Sequence, residues 1–386
     1  MNGTVVHWTL GNGSGLDKMA RSMHKAELAL GMDSRVVVAP DEDTWQLAAG
    51  ADIHVCHVHF PDKIRERLAK PPKIVWIGHG TPEHVFASSV AAGDQKIAGR
   101  RYGFGDSFQL LQHWLTNADE LVTFWPRHQA IYETMVGRNR TVRCIPFGLD
   151  RTFWEPGESR GKFGGTPSVF TAENGHRGKW PLDLLLAWPW VAAELYDAVL
   201  HVCNLTQDEH RWWFPLANMN GAHFRAYLSD IRWSPEDLRN VFRSIDYFIG
   251  LVEYGDHNHL MMQAHATGAK CISYRGNEYA DYWLTPGDQR VMAQELLAIL
   301  KGRVEPRQAL PAPDIADTAR AMQAIYEPLL LKQYVPGFRL TVPALEMSEP
   351  DDDVVGTIAP ERETIGAEPE PIPAVDETKA AGGETP

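Results

Sequence analysis

Short apolar runs alternate with longer stretches of helical period along most of this chain, and that alternation restricts it to folds built on a parallel sheet covered on both faces. "GTVVHWTL" reads as a strand, "LDKMARSMHKAELALG" as an amphipathic helix closing at Gly31, and "SRVVVAP" as the next strand. "DIHVCHVHF", "PKIVWIGH", "ELVTFW" and "TVRCIPFG" continue the strands, with helices expected over "IRERLAK" and "RHQAIYETMVG". The pattern restarts after the Pro/Gly-rich "FWEPGESRGKFGGTP". Strands are then expected in "SVFTAE", "DAVLHVCN", "AHFRAYLS", "DYFIGLV" and "KCISYR", with helices over "SPEDLRNVFRSI" and "RVMAQELLAILKG". Ser234 and Asp237 form a capping-box pattern around Pro235, which suits a first helical position. The expected architecture is α/β, with two Rossmann-like domains over residues 1–155 and 156–330 facing across a cleft, and an extension over 331–345. Ligands of such sheets bind at the carboxyl ends of the strands.

Charge separates a tail from this body. The chain of 386 residues has a net charge of −13, of which residues 346–386 carry −10, from 12 acidic side chains against Arg362 and Lys379. Rich in Pro, Glu, Asp and Gly, that tail cannot bury enough apolar surface to offset chain entropy and is expected to be disordered. The remaining body is nearly neutral at −3, so charge neither implies nor excludes a nucleic-acid partner. No stretch approaches the roughly 18 apolar residues that span a bilayer, and "MNGTVVHWTLGNGSG" lacks a signal-peptide pattern, so the expected location is cytoplasmic, with peripheral membrane contact left open. Cys56, Cys144, Cys203 and Cys271 lie far apart, without the spacing of a disulfide framework or a zinc finger.

Several segments carry chemistry. Gly11, Gly13 and Gly15 fall between a strand and a helix, where bare backbone N–H groups and the helix terminus suit an anion. The same glycines also suit a plain tight turn. His79 stands at a strand end between two glycines, open either to a polar substrate contact or to a local structural bond. His57 and His59 share a strand face and invite a metal reading, although no nearby acid or cysteine completes a ligand set. In "ENGHRGKWP", His176, Arg177 and Lys179 follow a strand, where the guanidinium fork and the ammonium suit a diphosphate, or simply a solvated loop.

The order of these features over residues 1 to about 330 resembles one family. "GNGSGLDKMARSMHKAELALGMDSRVVV", "DIHVCHVHF" with "VWIGHGTP", "VRCIPFGLDRTFWEPG", and "TGAKCISYRGNEYADYWLTPGD" are similar to successive motifs of nucleotide-sugar glycosyltransferases of the GT-B fold. Within them the likeness is to the retaining group that includes glycogen and sucrose synthase-like and mannosyltransferase-like enzymes. The resemblance implies that Arg177 and Lys179 hold the donor diphosphate, that His79 lies near the transferred sugar, and that Gly13 and Gly15 line the donor phosphate and acceptor side. The family's two glutamates, eight residues apart, fall here on Gly255 and Gln263. Glu253 stands two residues before the first position, and Asn174 stands where many relatives have a diphosphate arginine. Gln263 retains an amide oxygen able to accept from a ribose hydroxyl.

The expected activity is transfer of a hexose-like sugar from a nucleoside diphosphate to a hydroxyl. The catalytic candidates are His79, Arg177 and Lys179, and the donor-binding candidates are Gly13, Gly15, Arg177, Lys179, Glu253, Gly255 and Gln263. No metal or other cofactor is expected if the cations neutralise the leaving group. A same-fold nucleotide-sugar epimerase and a non-catalytic binding module remain alternatives. For the acceptor, an envelope glycan or small molecule comes first. Viral enzymes of this fold act on hydroxymethylated DNA bases, but the body shows no basic stripe, so DNA comes behind those.

Overall fold

The computed structural model describes residues 3–331 except 10, 12–14, 39–41, 58–67, 69–71, 80–94, 98–99, 103–114, 138–139, 160, 162–163, 173–181, 204, 206–210, 212–214, 216–225, 229–232 and 252–258. The expected acidic tail and the residue 331–345 extension, apart from residue 331 itself, lie outside the described residues.

Two six-stranded parallel sheets form the frame. The first takes β1 (Thr4–Thr9), β2 (Asp33–Val38), β3 (Ile53–Cys56), β4 (Lys73–Gly78), β7 (Glu120–Thr123) and β8 (Val142–Cys144), in the order β2-β1-β3-β4-β7-β8. A separate antiparallel pair joins β5 (Gln95–Ile97) to β6 (Arg100–Tyr102). The second sheet takes β9 (Ser168–Thr171), β10 (Val199–Val202), β11 (Ala226–Leu228), β12 (Tyr247–Gly250), β13 (Lys270–Tyr274) and β14 (Tyr282–Leu284), in the order β11-β10-β9-β12-β13-β14. Strand order reverses between β1 and β3 in the first sheet and between β9 and β12 in the second. Those reversals are the switch points where doubly wound sheets hold ligands.

Helices cover both faces. Among the described residues they include α1 (Gly15–Ala29), α2 (Glu42–Ala48), α3 (Pro126–Val136), α4 (Leu182–Glu194), α5 (Pro235–Phe242), α6 (His259–Ala266), α7 (Gln289–Leu300) and α8 (Ile315–Leu331). Central strands are buried on both sides, as in β9 and β12, which explains why they read as unbroken apolar runs. The capping box at α5 forms as expected, with Ser234 Oγ accepting from the Asp237 N–H at 3.1 Å and Pro235 opening the helix. At α7, Asp288 accepts from the N–H groups of Arg290 and Val291. In the second half α4 and α7 pack against one face of the sheet through Leu184, Trp188, Met292 and Leu296. The other face packs on α5 and α6 through Phe170, Phe242, Phe248 and Met261.

The last helix crosses back. Ile315, Met322, Ile325 and Tyr326 of α8 share a core with Val5, Met23, Ile53 and Ile77 of the first half. The outgoing and returning chains are stitched together at one place. Leu149 N–H donates to Pro313 O at 2.9 Å, Ile315 N–H donates to Leu149 O at 2.9 Å, and the Gly148 N–H donates to Thr318 Oγ at 2.8 Å.

One buried histidine predicts an acid response. His54 in β3 is buried and accepts from Trp8 Nε1 at 3.1 Å. Burial pulls its imidazole from an ordinary value near 6.5 down to about 4, against small opposing contributions from Ala51 and Asp52. On acidification the unfolded chain takes up this proton near 6.5 and the folded chain only near 4. Stability present above that window therefore falls within it, by up to about 3 kcal/mol. Urea unfolding between pH 7 and 4 should show the decline, and His54→Gln should flatten it. An unchanged slope in that variant would remove His54 as its source.

Candidate functional site

The carboxyl end of the first sheet is built around His79, the residue after β4. Gly78 before it has no room for a side chain, since a Cβ would meet the Tyr132 ring at 2.7 Å. The strand therefore ends in close packing, and the half-buried His79 is the first side chain beyond it. Its Nε2 lies 2.9 Å from Nδ1 of His57, the residue after β3. His57 spends its other ring nitrogen on His7 of β1 at 3.0 Å. Burial, then the neighbouring His79 and His7, hold the His57 imidazole well below the ordinary histidine range, so it is neutral at physiological pH. His59, its partner in the metal reading, lies outside the described residues. Both nitrogens of His57 thus face other histidines in a line rather than converging on one point.

Four rings join this end of the first sheet to the second. The ring centroids of His79 and Phe124 are 5.3 Å apart, those of Phe124 and Phe147 4.9 Å, and those of Phe147 and His259 5.3 Å. His259 opens α6, the helix that follows β12, and its Nδ1 accepts from the side-chain amide of Gln263 at 3.2 Å. Gln263 is 8% exposed, and its amide oxygen has no hydrogen-bond partner among the described residues. A buried carbonyl without a donor costs on the order of 1–3 kcal/mol, so it is a ready acceptor for a ligand N–H or O–H. Successive ring contacts thereby link His79 to the helix that carries Gln263.

The glycine loop divides by role. Gly11 has φ of 66°, and a Cβ there would meet Val38 at 2.6 Å, which makes it a turn glycine. Gly15 opens α1, is exposed, and has nothing within 4 Å of an added Cβ. Gly13, Arg177, Lys179, Glu253 and Gly255 lie outside the described residues, as do Asn174 and His176. In the chain, Arg177 and Lys179 fall six and eight residues after the end of β9, and Glu253 and Gly255 three and five residues after the end of β12, the two strands that flank the switch point of the second sheet.

No family profile matches the chain, and no curated protein matches its sequence. Solved structures do match. HepE of Anabaena, in complex with UDP and glucose, superposes with a TM-score of 0.56 at 13% identity, over 86% of this chain and 100% of that one. Sucrose-phosphate synthase from Thermosynechococcus elongatus gives 0.61 at 13% identity, over 85% and 96%. A glycosyltransferase from Rickettsia africae gives 0.58 at 10% identity, over 86% and 100%. The chain has the GT-B fold.

Within this GT-B frame, sequence reasoning missed His7, Glu27, Phe124 and Phe147. A signal for Glu27 existed, because it falls on the apolar stripe of Met19, Met23 and Ala26, where a carboxylate has no reason to lie unless it is bonded. His7 likewise interrupts an apolar strand buried on both faces. Among the described residues no helix is long and apolar enough to cross a membrane.

Proposed function

We propose that this protein transfers a hexose-like sugar from a nucleoside diphosphate to a hydroxyl acceptor, with retention at the anomeric carbon. The observation that supports this reading is the row of ring contacts that runs from His79 through Phe124 and Phe147 to His259, which is bonded to Gln263. A fold shared with many activities does not by itself name a reaction, so the residues at that junction have to. Gln263 offers its open amide oxygen to a ribose hydroxyl, and Glu253 adds a second polar contact at the same strand end. Support for the donor class comes from HepE, whose structures include complexes with UDP and glucose and with UDP-glucose.

The chemistry asks for charge stabilisation more than for a protein nucleophile. As the bond to the leaving diphosphate breaks, negative charge grows on its oxygens; Arg177 grips it as a fork and Lys179 neutralises it as a point charge. Gly13 and Gly15 are assigned to the donor phosphate and acceptor side, where backbone N–H groups and a helix terminus suit an anion. His79 faces the transferred sugar and the incoming hydroxyl, which are held in order by the two halves. With two cations on the diphosphate the reaction requires no metal ion. An envelope glycan or a small molecule is the acceptor this reading favours.

Incubation with a panel of nucleotide sugars, with and without hydroxyl acceptors, tests the reading. Acceptor-dependent release of nucleoside diphosphate, with the anomeric configuration kept in the product, is the expected result. Turnover that ignores the acceptor would identify an epimerase-like reaction instead, and binding without turnover would identify a binding module.

A further inference from the structure

Strand β13 ends on two buried hydroxyl side chains in succession, Ser273 and Tyr274. Consecutive strand residues point to opposite faces of a sheet. Cys271, two residues before Ser273, packs in the core shared with α5 and α6, whereas Ile272, two before Tyr274, packs in the core shared with α4 and α7. On the first face Ser273 Oγ donates to the carbonyl of Gly250, the last residue of β12, at 2.7 Å. On the second face Tyr274 OH donates to Oδ2 of Asp183, in the first turn of α4, at 2.7 Å. We propose that Ser273 and Tyr274 are positioning residues that hold, from one strand end, the two chain segments assigned to the nucleotide sugar.

Each bond meets its segment at a boundary. Gly250 is the register partner of Ser273 and closes the ladder between β12 and β13. Glu253 and Gly255 lie three and five residues beyond it, so the Ser273 bond fixes the point from which they depart. Arg177 and Lys179 lie six and four residues before Asp183, so the Tyr274 bond fixes the point at which their segment enters α4. One strand end thus holds the start of one segment and the end of the other.

Both bonds are reinforced from a second side. Asn277 Nδ2 donates to Ser273 Oγ at 3.2 Å, which occupies a lone pair and leaves the single hydroxyl proton for Gly250. Asn277 is fixed in turn, because its Oδ1 accepts from the Tyr279 N–H at 3.1 Å and its carbonyl accepts from Trp283 Nε1 at 2.8 Å. Asp183 gives its other oxygen, Oδ1, to Gln289 Nε2 at 3.1 Å, at the first residue of α7. A shift of the α4 terminus would therefore have to break bonds to two elements. A strand end with only a packing role would take apolar side chains at both places, since a buried hydroxyl costs stability unless its bond is made.

Resting on the transfer reading, this division has a kinetic signature. The Tyr274 bond serves the two cations, which act as charge grows on the diphosphate, so Tyr274→Phe should lower kcat about tenfold with little change in KM for the nucleotide sugar. The Ser273 bond serves Glu253, a contact made equally before and during transfer, so Ser273→Ala should raise that KM about tenfold with kcat near the parent value. Ser273→Thr, which keeps a hydroxyl, should restore the KM. Coupling should divide in the same way. Tyr274→Phe should lose its effect where Lys179 is replaced by alanine and keep it where Glu253 is replaced by glutamine, and Ser273→Ala should do the converse.

Amide hydrogen exchange on the full chain reads the two anchors without any substrate. Tyr274→Phe should quicken exchange over residues 173–183 and leave residues 251–258 at the parent rate, and Ser273→Ala should do the converse. Tyr274→Phe keeps the aromatic ring in its packing, so this arm stands if Ser273→Ala does not fold. A side chain that only stabilises the sheet would quicken both segments together or neither, and either result would overturn the proposal. Coupling of Tyr274 to Glu253, or of Ser273 to Lys179, would overturn it as well. The expected exchange pattern in a chain that transfers no sugar from any nucleotide sugar would refute the transfer reading and leave the two anchors standing.

Discussion

Gly148→Ala is expected to destabilise the protein by about 3 kcal/mol, because the new methyl has nowhere to go. A Cβ at this buried position would lie 2.2 Å from the Asp314 carbonyl carbon and 2.5 Å from the Ile315 nitrogen. Both are backbone atoms, so no rotamer change relieves the overlap. The same glycine donates its N–H to Thr318, and its neighbour Leu149 pairs with Asp314, so the clash would open the stitch between the outgoing and returning chains. Release of α8 from the core it shares with Val5, Met23 and Ile53 should follow. Gly50→Ala is the matched control, since an added Cβ there meets nothing within 4 Å. Urea midpoints measured at equal m-value separate the two, and a Gly148→Ala variant as stable as Gly50→Ala would show that the stitch carries little.

The second large effect is on rate. Alanine at Arg177 or at Lys179 is expected to lower kcat by about 10²- to 10³-fold each, the usual cost of removing a preorganised charge that faces a leaving group. Loss should appear in kcat more than in KM, because the charge on the diphosphate grows as the bond breaks. The double variant should retain the melting temperature of the parent chain in the absence of ligand. Unchanged turnover in the double variant would remove these two side chains from the reaction.

The sheets were legible in the sequence because parallel strands buried on both faces leave a nearly unbroken apolar signature, as in "YFIG" and "KCISY". Elements lacking a period were not. The α4 segment "LDLLLAWPWVAAE" is apolar on nearly every side and holds Pro189, so no amphipathic stripe announces a helix, which is buried through Leu184, Leu185 and Trp188. Strand β14 is three residues long and sits inside a turn-rich stretch. The return of α8 to the first half depends on contacts between residues far apart in the chain, which local pattern does not carry.

At the site, His79 was visible from its two flanking glycines and Gln263 from its place in a family motif. What joins them was not visible, because Phe124 and Phe147 look like ordinary core aromatics until their rings are seen to bridge the sheets. His57 first suggested a metal ligand because two histidines shared a strand face. Its actual partners, His7 and His79, come from neighbouring strands of the sheet, a relation fixed by strand order rather than by spacing along the chain.

Thermal denaturation of the full chain across a panel of nucleoside diphosphate sugars, each alongside its free sugar and free nucleotide, tests the nucleotide-sugar assignment most directly. A ligand that binds only the folded state stabilises it by about 2.7 kcal/mol at a hundredfold excess over Kd. One class of nucleotide sugar should raise the melting temperature in the parent chain, and the rise should be lost in the Arg177→Ala, Lys179→Ala double variant. A melting temperature that no nucleotide sugar moves at millimolar concentration would contradict the assignment.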